Sequence, residues 1–199
     1  MHSLKRLVLA MAVLSLCATN VAFAAADPDA AVVKLRKSCE EAGGTVTLNN
    51  CFTTTNALGA WVNARPVSAG PLLVEIGPGT FRAASRGGGS PFNCDKSNIT
   101  LKGSGPDITI LDGGNTGVGI VGGSSCVNFD VQDLTVMGGV FAILWNGDGG
   151  GSSRWTNVSV SSNGYPWTEM CTGNDNSNRA VHYWFNSRLS STTKSYNLL

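Results

Sequence analysis

A short alternating pattern of polar and apolar residues recurs four times in the second half of the chain. The tetrapeptides DITI, DLTV, NVSV and NSRL begin at residues 107, 133, 157 and 186. In an extended strand, alternate side chains point to opposite faces, so the second and fourth positions of each copy share one face. We therefore predict that the apolar residues at these positions are buried and stacked between copies: Ile108, Ile110, Leu134, Val136, Val158 and Val160.

The distance between copies predicts the type of fold. A repeat of about 25 residues is too long for a hairpin and leaves no room for a crossover helix, but it lies in the range of stacked units. Further strand candidates lie in the gaps, at 98–101, 117–123, 127–131 and 140–145. The predicted fold is all-β, a right-handed parallel β-helix or solenoid. An antiparallel β-sandwich is the alternative, because some Gly-Asn and Gly-Gly pairs could form hairpin turns.

The first position of each copy is a short acid or amide. These positions are Asp107, Asp133, Asn157 and Asn186. Such side chains bond nearby backbone groups and tolerate backbone angles that other residues avoid. We expect this column to form turns, and its role to be structural rather than catalytic.

The residues before the repeat predict a short helical N-terminal cap over 25–66. Asp27-Pro28 has the form of a helix start, and Val32, Leu35 and Cys39 follow at helical spacing. Threonines at 53–55 could cap a second helix that ends at Arg65-Pro66. Residues 67–199 then form the β-helix. We expect it to be incomplete at its C-terminus, because 192–199 contains no helix long enough to cover the last strands.

The first 24 residues have the form of a signal peptide. A basic start at Lys5 and Arg6 precedes an apolar run over 7–16, and Ala22-Phe23-Ala24 provides a cleavage site. The run is too short to span a bilayer. We therefore expect a secreted or periplasmic protein, with no membrane attachment after the signal is removed.

The cysteines suggest disulfide bonds, and the net charge limits the kinds of molecule that the protein is expected to bind. In an oxidising compartment, Cys39 could pair with Cys51 and Cys94 with Cys126, which leaves Cys171 over. No close pair of Cys and His suggests a metal site, and the sequence leaves the cofactor unknown. The net charge of +1 does not suggest nucleic acid as a partner. Self-association at the open C-terminal end is a further expectation.

Three segments resemble the pectin-lyase-like superfamily of right-handed parallel β-helices. They are VEIGPGTFR at 74–82, SNITLKGSGPDITILDG at 97–113 and VNFDVQDLTVMGG at 127–139. The first two are similar to the opening of pectinesterases, and the resemblance covers roughly 70–190. The catalytic segments of pectinesterases, polygalacturonases and pectate lyases do not occur here. The resemblance therefore implies a fold and a polysaccharide partner, and no catalytic residue is carried over from it.

Some residues could still carry chemistry. Alternation points Asp130 outward, three residues before a turn, in one column with Ser104, Arg154 and Tyr183. An outward Asp130–Arg154 pair could bind or process an acidic or hydroxyl-rich sugar, with Asp130 as acid, base or cation ligand and Arg154 as the partner of a carboxylate. The simpler interpretation is an ion pair on a solvated face.

Aromatic residues and a second arginine are the candidates for binding substrate. Trp155 and Trp184 share a column and could form a sugar platform, although such residues more often fill a core. Trp167 lies in the longest irregular stretch, 161–178, which we expect to be a loop. Arg188 lies between the apolar positions of the fourth copy. A Ser-His-Asp triad would have to use His182.

Two classes of function remain open from the sequence. The first is an exported β-helix enzyme of lyase, hydrolase or esterase type that acts on a polysaccharide. The second is a non-catalytic β-helix, such as an adhesin, a surface protein or a carbohydrate-binding module. The missing catalytic segments favour the second class, since folds of this kind host unrelated functions.

Overall fold

A computed structural model describes residues 31–39, 50–66, 69–82, 93–94, 97–114, 118–122, 126–139, 141–146, 151–170 and 180–191. At 93–94, 121–122, 146 and 168–170 the description covers the backbone alone. The expected signal peptide, the proposed helix start at Asp27 and the segment 192–199 lie outside these ranges.

The described residues form one helix and fourteen short strands. The helix is α1 (Thr55–Ala64). The strands are β1 (Val32–Leu35), β2 (Cys51–Phe52), β3 (Leu72–Ile76), β4 (Gly79–Arg82), β5 (Asn93–Cys94), β6 (Ile99–Lys102), β7 (Thr109–Asp112), β8 (Val118–Gly122), β9 (Phe129–Met137), β10 (Phe141–Asn146), β11 (Ser152–Ser162), β12 (Tyr165–Met170), β13 (Val181–Phe185) and β14 (Arg188–Ser191).

The strands form two parallel sheets. The larger sheet has the order β13-β11-β9-β6-β3-β1-β2, and β4, β7 and β14 also join it; the smaller has the order β12-β10-β8-β5. From β7 to β13 the chain alternates between them, and each return adds a strand beside the previous one. Every pairing between the described strands is parallel. The chain is therefore all-β, and the antiparallel sandwich is excluded.

The core consists of columns of inward side chains that run across the strands. One column joins Val33, Val74, Leu101, Val131 and Trp155, whose exposed fractions are 0 or 1%. Alternation creates such columns because identical faces of parallel strands lie directly beside one another. Burial of these side chains is the main stabilising contribution, at roughly 1.5–3 kcal/mol for each fully buried side chain.

The predicted burial is confirmed for the second and third copies of the repeat. Leu134 lies beside Val158 and Val136 beside Val160, and all four are at most 1% exposed. In the first copy the prediction is wrong, since Ile108 is 52% exposed and Ile110 is half-buried.

The first copy departs from the pattern because its chain takes a longer turn. After β6, residues 103–108 form an extended turn before β7 begins at Thr109. The extra residues shift the alternation by one, so Thr109 and Leu111 point inward and are fully buried. The Thr109 hydroxyl donates to the Gly77 carbonyl oxygen at 2.9 Å, which satisfies the buried polar group.

Three of the four acid or amide positions form a side-chain ladder at a sharp bend. Asp133, Asn157 and Asn186 have φ angles of 54°, 54° and 47°, in the left-handed region. Asn157 Nδ2 donates to Asp133 Oδ1 at 2.8 Å, and Asn186 Nδ2 donates to Asn157 Oδ1 at 3.3 Å. Asp107 lies in the longer turn instead, so its predicted place in the column is wrong.

The N-terminal part is only partly as predicted. Residues 32–35 form β1 beside β3 instead of a helix, with Val33 and Leu35 inward and Val32 exposed. The second predicted helix is confirmed as α1, where the Thr54 hydroxyl accepts from the Ala57 N–H at 3.2 Å. No helix in the described part of the chain is long and apolar enough to cross a membrane.

The disulfide prediction is confirmed for one pair. Cys39 is bonded to Cys51, which ties the segment after β1 to β2. Cys126 is also disulfide-bonded, but its partner lies among side chains that the structure does not describe. The pairing of Cys126 with Cys94 therefore stays a prediction. A disulfide fits an oxidising environment.

Candidate functional site

An open groove crosses the outward face of the larger sheet. Its central row consists of Thr100 on β6, Asp130 on β9, Arg154 on β11 and Tyr183 on β13, which lie directly beside one another. The groove has a volume of about 350 Å³. Since neighbouring strands are about 4.8 Å apart, these four side chains span about 14 Å.

The structure corrects one member of the predicted row. Asp130 and Arg154 are neighbours as the repeat indicated, and Tyr183 follows on the next strand. The residue beside Asp130 on the other side is Thr100, not Ser104. Ser104 belongs to the longer turn that displaces the first copy of the repeat.

Asp130 and Arg154 are adjacent but are not bonded to each other. Asp130 Oδ2 accepts a hydrogen bond from Gln132 Nε2 at 2.8 Å, whereas Oδ1 is buried without a hydrogen-bond partner. Among the described residues, no hydrogen bond or ion pair involves the Arg154 guanidinium, which is exposed. The groove therefore offers an exposed cation at Arg154, beside a carboxylate whose unpaired oxygen is closed to solvent. The simpler prediction of an ion pair between them is wrong.

A second amide pair forms one side of the groove and was not predicted. Asn98 and Asn128 both have left-handed backbones, with φ of 61° and 57°, and Asn128 Nδ2 donates to Asn98 Oδ1 at 3.0 Å. Both residues are exposed and line the groove. The signal is present in the sequence, because NITL at 98–101 and NFDV at 128–131 share one polar and apolar order. Exposed amides can donate to and accept from hydroxyl groups.

The predicted tryptophan platform is wrong for Trp155. This residue is fully buried and lies in the inward column beside Val131. Trp184 stacks on it, with ring centroids 5.0 Å apart, and Trp167 packs edge-on against both rings. Trp167 and Trp184 are half-buried members of this inner cluster, so none of the three tryptophans lines the groove. Trp167 also lies in β12, where a loop was predicted.

His182 lies inside this aromatic cluster. Its ring is 4.7 Å from that of Trp145 and 4.6 Å from that of Trp167, centroid to centroid. Nδ1 lies 2.7 Å from the Ser153 hydroxyl oxygen, which also accepts from Trp155 Nε1 at 2.6 Å. Burial lowers the pKa of His182 to about 4, so the ring is neutral at pH 7. Since Ser153 is only 2% exposed, this pair is part of the core and is not placed to attack a bound polymer.

The last predicted site residue lies on a different part of the sheet. Arg188 is exposed on β14 beside Ser159, beyond the bend at Asn157, and does not line the groove. Within the described ranges, no group of three or more His, Cys, Asp or Glu side chains could hold a metal ion.

Comparisons with known proteins do not identify a function, so the proposal for function depends on the groove alone. No protein-family model and no curated protein matches this chain. The features that bear on function are the unpaired Arg154 guanidinium, the exposed ring of Tyr183 and the exposed amides of Asn98 and Asn128.

Proposed function

We propose that this chain is a right-handed parallel β-helix of the pectin-lyase-like type that binds a polysaccharide in the groove on its larger sheet. The alternation of the chain between two parallel sheets supports the architecture. The row of Thr100, Asp130, Arg154 and Tyr183 across four strands is the observation that carries the function.

The side chains of the row match the groups that a sugar offers. The Arg154 guanidinium is exposed and is a donor for a carboxylate or hydroxyl group, whereas the Asp130 carboxylate accepts from Gln132 and its second oxygen is buried. Tyr183 is 53% exposed, so its ring can pack against the apolar face of a sugar while its hydroxyl stays in water. The amides of Asn98 and Asn128 add further donors and acceptors at the side of the groove.

The groove supports binding better than cleavage. Most glycoside hydrolases use two carboxylates on either side of the bond that breaks. Among the described residues that line the groove, Asp130 is the one carboxylate. An ester hydrolase would need an accessible nucleophile, and the Ser153 residue is only 2% exposed. The proposed role is therefore that of a carbohydrate-binding protein, with lyase, hydrolase or esterase activity as the alternative.

The proposed setting is outside the cytoplasm. The Cys39–Cys51 disulfide and the second bond at Cys126 fit an oxidising compartment. Together with the signal peptide expected over 1–24, they support a secreted or periplasmic protein. Polysaccharides occur in these compartments, so the proposed location is consistent with the proposed ligand.

Affinity electrophoresis against a panel of neutral and acidic polysaccharides tests the proposal. We expect at least one polymer to retard the wild-type protein, and Tyr183→Ala to reduce that retardation several-fold, because a lost aromatic contact costs about 1 kcal/mol. The same incubations are assayed for new reducing ends, unsaturated products and methanol, with and without calcium. Retardation by no polymer would contradict the proposed function, and released products would show an enzyme instead.

A further inference from the structure

One end of both sheets exposes apolar surface. In the part of the chain that the structure describes, β13 ends the order of the larger sheet and β12 ends that of the smaller. The outward side chains of β13 are Val181, Tyr183 and Phe185, which are 48%, 53% and 51% exposed. Edge strands usually carry charged residues or proline, which prevent pairing with another chain. The sequence of β13, VHYWF, contains neither a proline nor an acidic residue, lysine or arginine.

In the part of the chain that the structure describes, the inward side chains are also less covered at this end. Trp145 and Trp155 are fully buried, whereas Trp167 and Trp184, one strand further along, are half-buried although they point inward. Trp167 stacks on Trp145 at 6.0 Å and 18°, and Trp184 stacks on Trp155 at 5.0 Å and 14°. The outer faces of the last two rings would be covered by a further strand of the same kind.

We infer that this end binds a second copy of the chain, through a twofold contact between the two β13 strands. A twofold contact requires a surface that is complementary to itself. Antiparallel pairing centred on Tyr183 meets this requirement, because Val181 then lies opposite Phe185 of the second copy and no charged side chains of β13 face one another. The contact would bury apolar surface on both copies. It does not depend on the proposed ligand.

Sedimentation velocity of the purified full chain, over a hundred-fold range of concentration, measures this contact. We expect a monomer–dimer equilibrium for the wild-type protein. Val181→Lys should weaken dimerisation at least ten-fold, because it places a charge in an apolar contact. Val32→Lys is the matched control: Val32 is 42% exposed and also points outward, but its strand β1 lies between β3 and β2. This control should dimerise like the wild-type protein.

Three results would overturn the inference. The first is a wild-type protein that stays monomeric at every concentration. The second is equal dimerisation of the Val181→Lys and Val32→Lys variants. The third is a fall in the melting temperature of Val181→Lys, but not of Val32→Lys, at a concentration where the wild-type protein is monomeric. That fall would mean that other residues of the same chain cover β13. Phe185→Lys repeats the test at the opposite end of the strand, so the result does not depend on one variant.

Discussion

Asn157 is the middle residue of the amide ladder, and its replacement separates side-chain bonding from backbone conformation. Its φ is 54°. Its side-chain Nδ2 donates to Asp133 Oδ1, and its side-chain Oδ1 accepts from Asn186 Nδ2. Loss of both bonds should cost about 2 kcal/mol of unfolding free energy, with the bond to the carboxylate as the larger part. Alanine in the left-handed region costs about 1 kcal/mol more than glycine. We therefore expect Asn157→Ala to lose about 3 kcal/mol and Asn157→Gly about 2 kcal/mol.

Urea unfolding, followed by circular dichroism, gives both values. The matched control is Asn56, an exposed residue in the first turn of α1. There the helical backbone favours alanine, so Asn56→Ala should be at least as stable as Asn56→Gly. The expected order of the two substitutions is thus opposite at the two positions. If Asn157→Ala were as stable as Asn157→Gly, the backbone of the ladder would not be the constraint that we describe.

Three further predictions concern the core, the buried histidine and the disulfide. Val158→Asp should abolish cooperative thermal unfolding, because it buries a charge beside Leu134. Ser159→Asp, at the neighbouring half-exposed position, is the control and should leave unfolding cooperative. Equal melting curves for the two variants would contradict the stacked core. The pKa of His182 is lowered from 6.5 to about 4, so the unfolded chain binds a proton more tightly than the folded chain does. The free energy of unfolding should therefore fall by about 2 kcal/mol as the pH is lowered from 6.5 to 4, after allowance for the partial exposure of the ring. His182→Gln should lessen this fall, and an unchanged pH dependence would contradict it. Replacing both Cys39 and Cys51 by serine should cost about 3 kcal/mol in urea unfolding, because the bond closes a short loop; unchanged stability would show that the bond does not constrain the unfolded chain.

The sequence predicts the buried positions correctly where a single residue forms a bend within a strand. In β9 and β11 the chain passes through Asp133 and Asn157 without extra residues, so alternation on both sides of the bend identifies the buried positions. The same rule fails at Ile108, because the turn between β6 and β7 is longer and reverses the faces. The prediction of a helix at Val32 is wrong for a related reason. The strand has only four residues, so the positions of Val32 and Leu35 alone do not distinguish a helical period from that of a strand.

The residues of the groove can be predicted from the sequence only after the register between the strands is known. Asp130 and Arg154 are correct neighbours because they precede aligned bends by the same number of residues. The same alignment places Trp155 beside Val131, which points inward, so the burial of Trp155 follows from the alternation used for Asp130. The absence of an ion pair between Asp130 and Arg154 could not be predicted, because it depends on Gln132 Nε2 donating to Asp130 Oδ2 while Oδ1 is buried.

The charge-matched pair Arg154→Ala and Arg188→Ala tests the central claim most directly. Both variants remove one exposed arginine from the larger sheet, but only Arg154 lines the groove. Calorimetric titration with the polysaccharide that binds the wild-type protein most tightly gives the two dissociation constants. We expect Arg154→Ala to weaken binding about ten-fold or more, because a charge-assisted hydrogen bond contributes about 1.5–3 kcal/mol, and Arg188→Ala to leave it unchanged. Equal affinities for the two variants would contradict the assignment of the groove as the binding site.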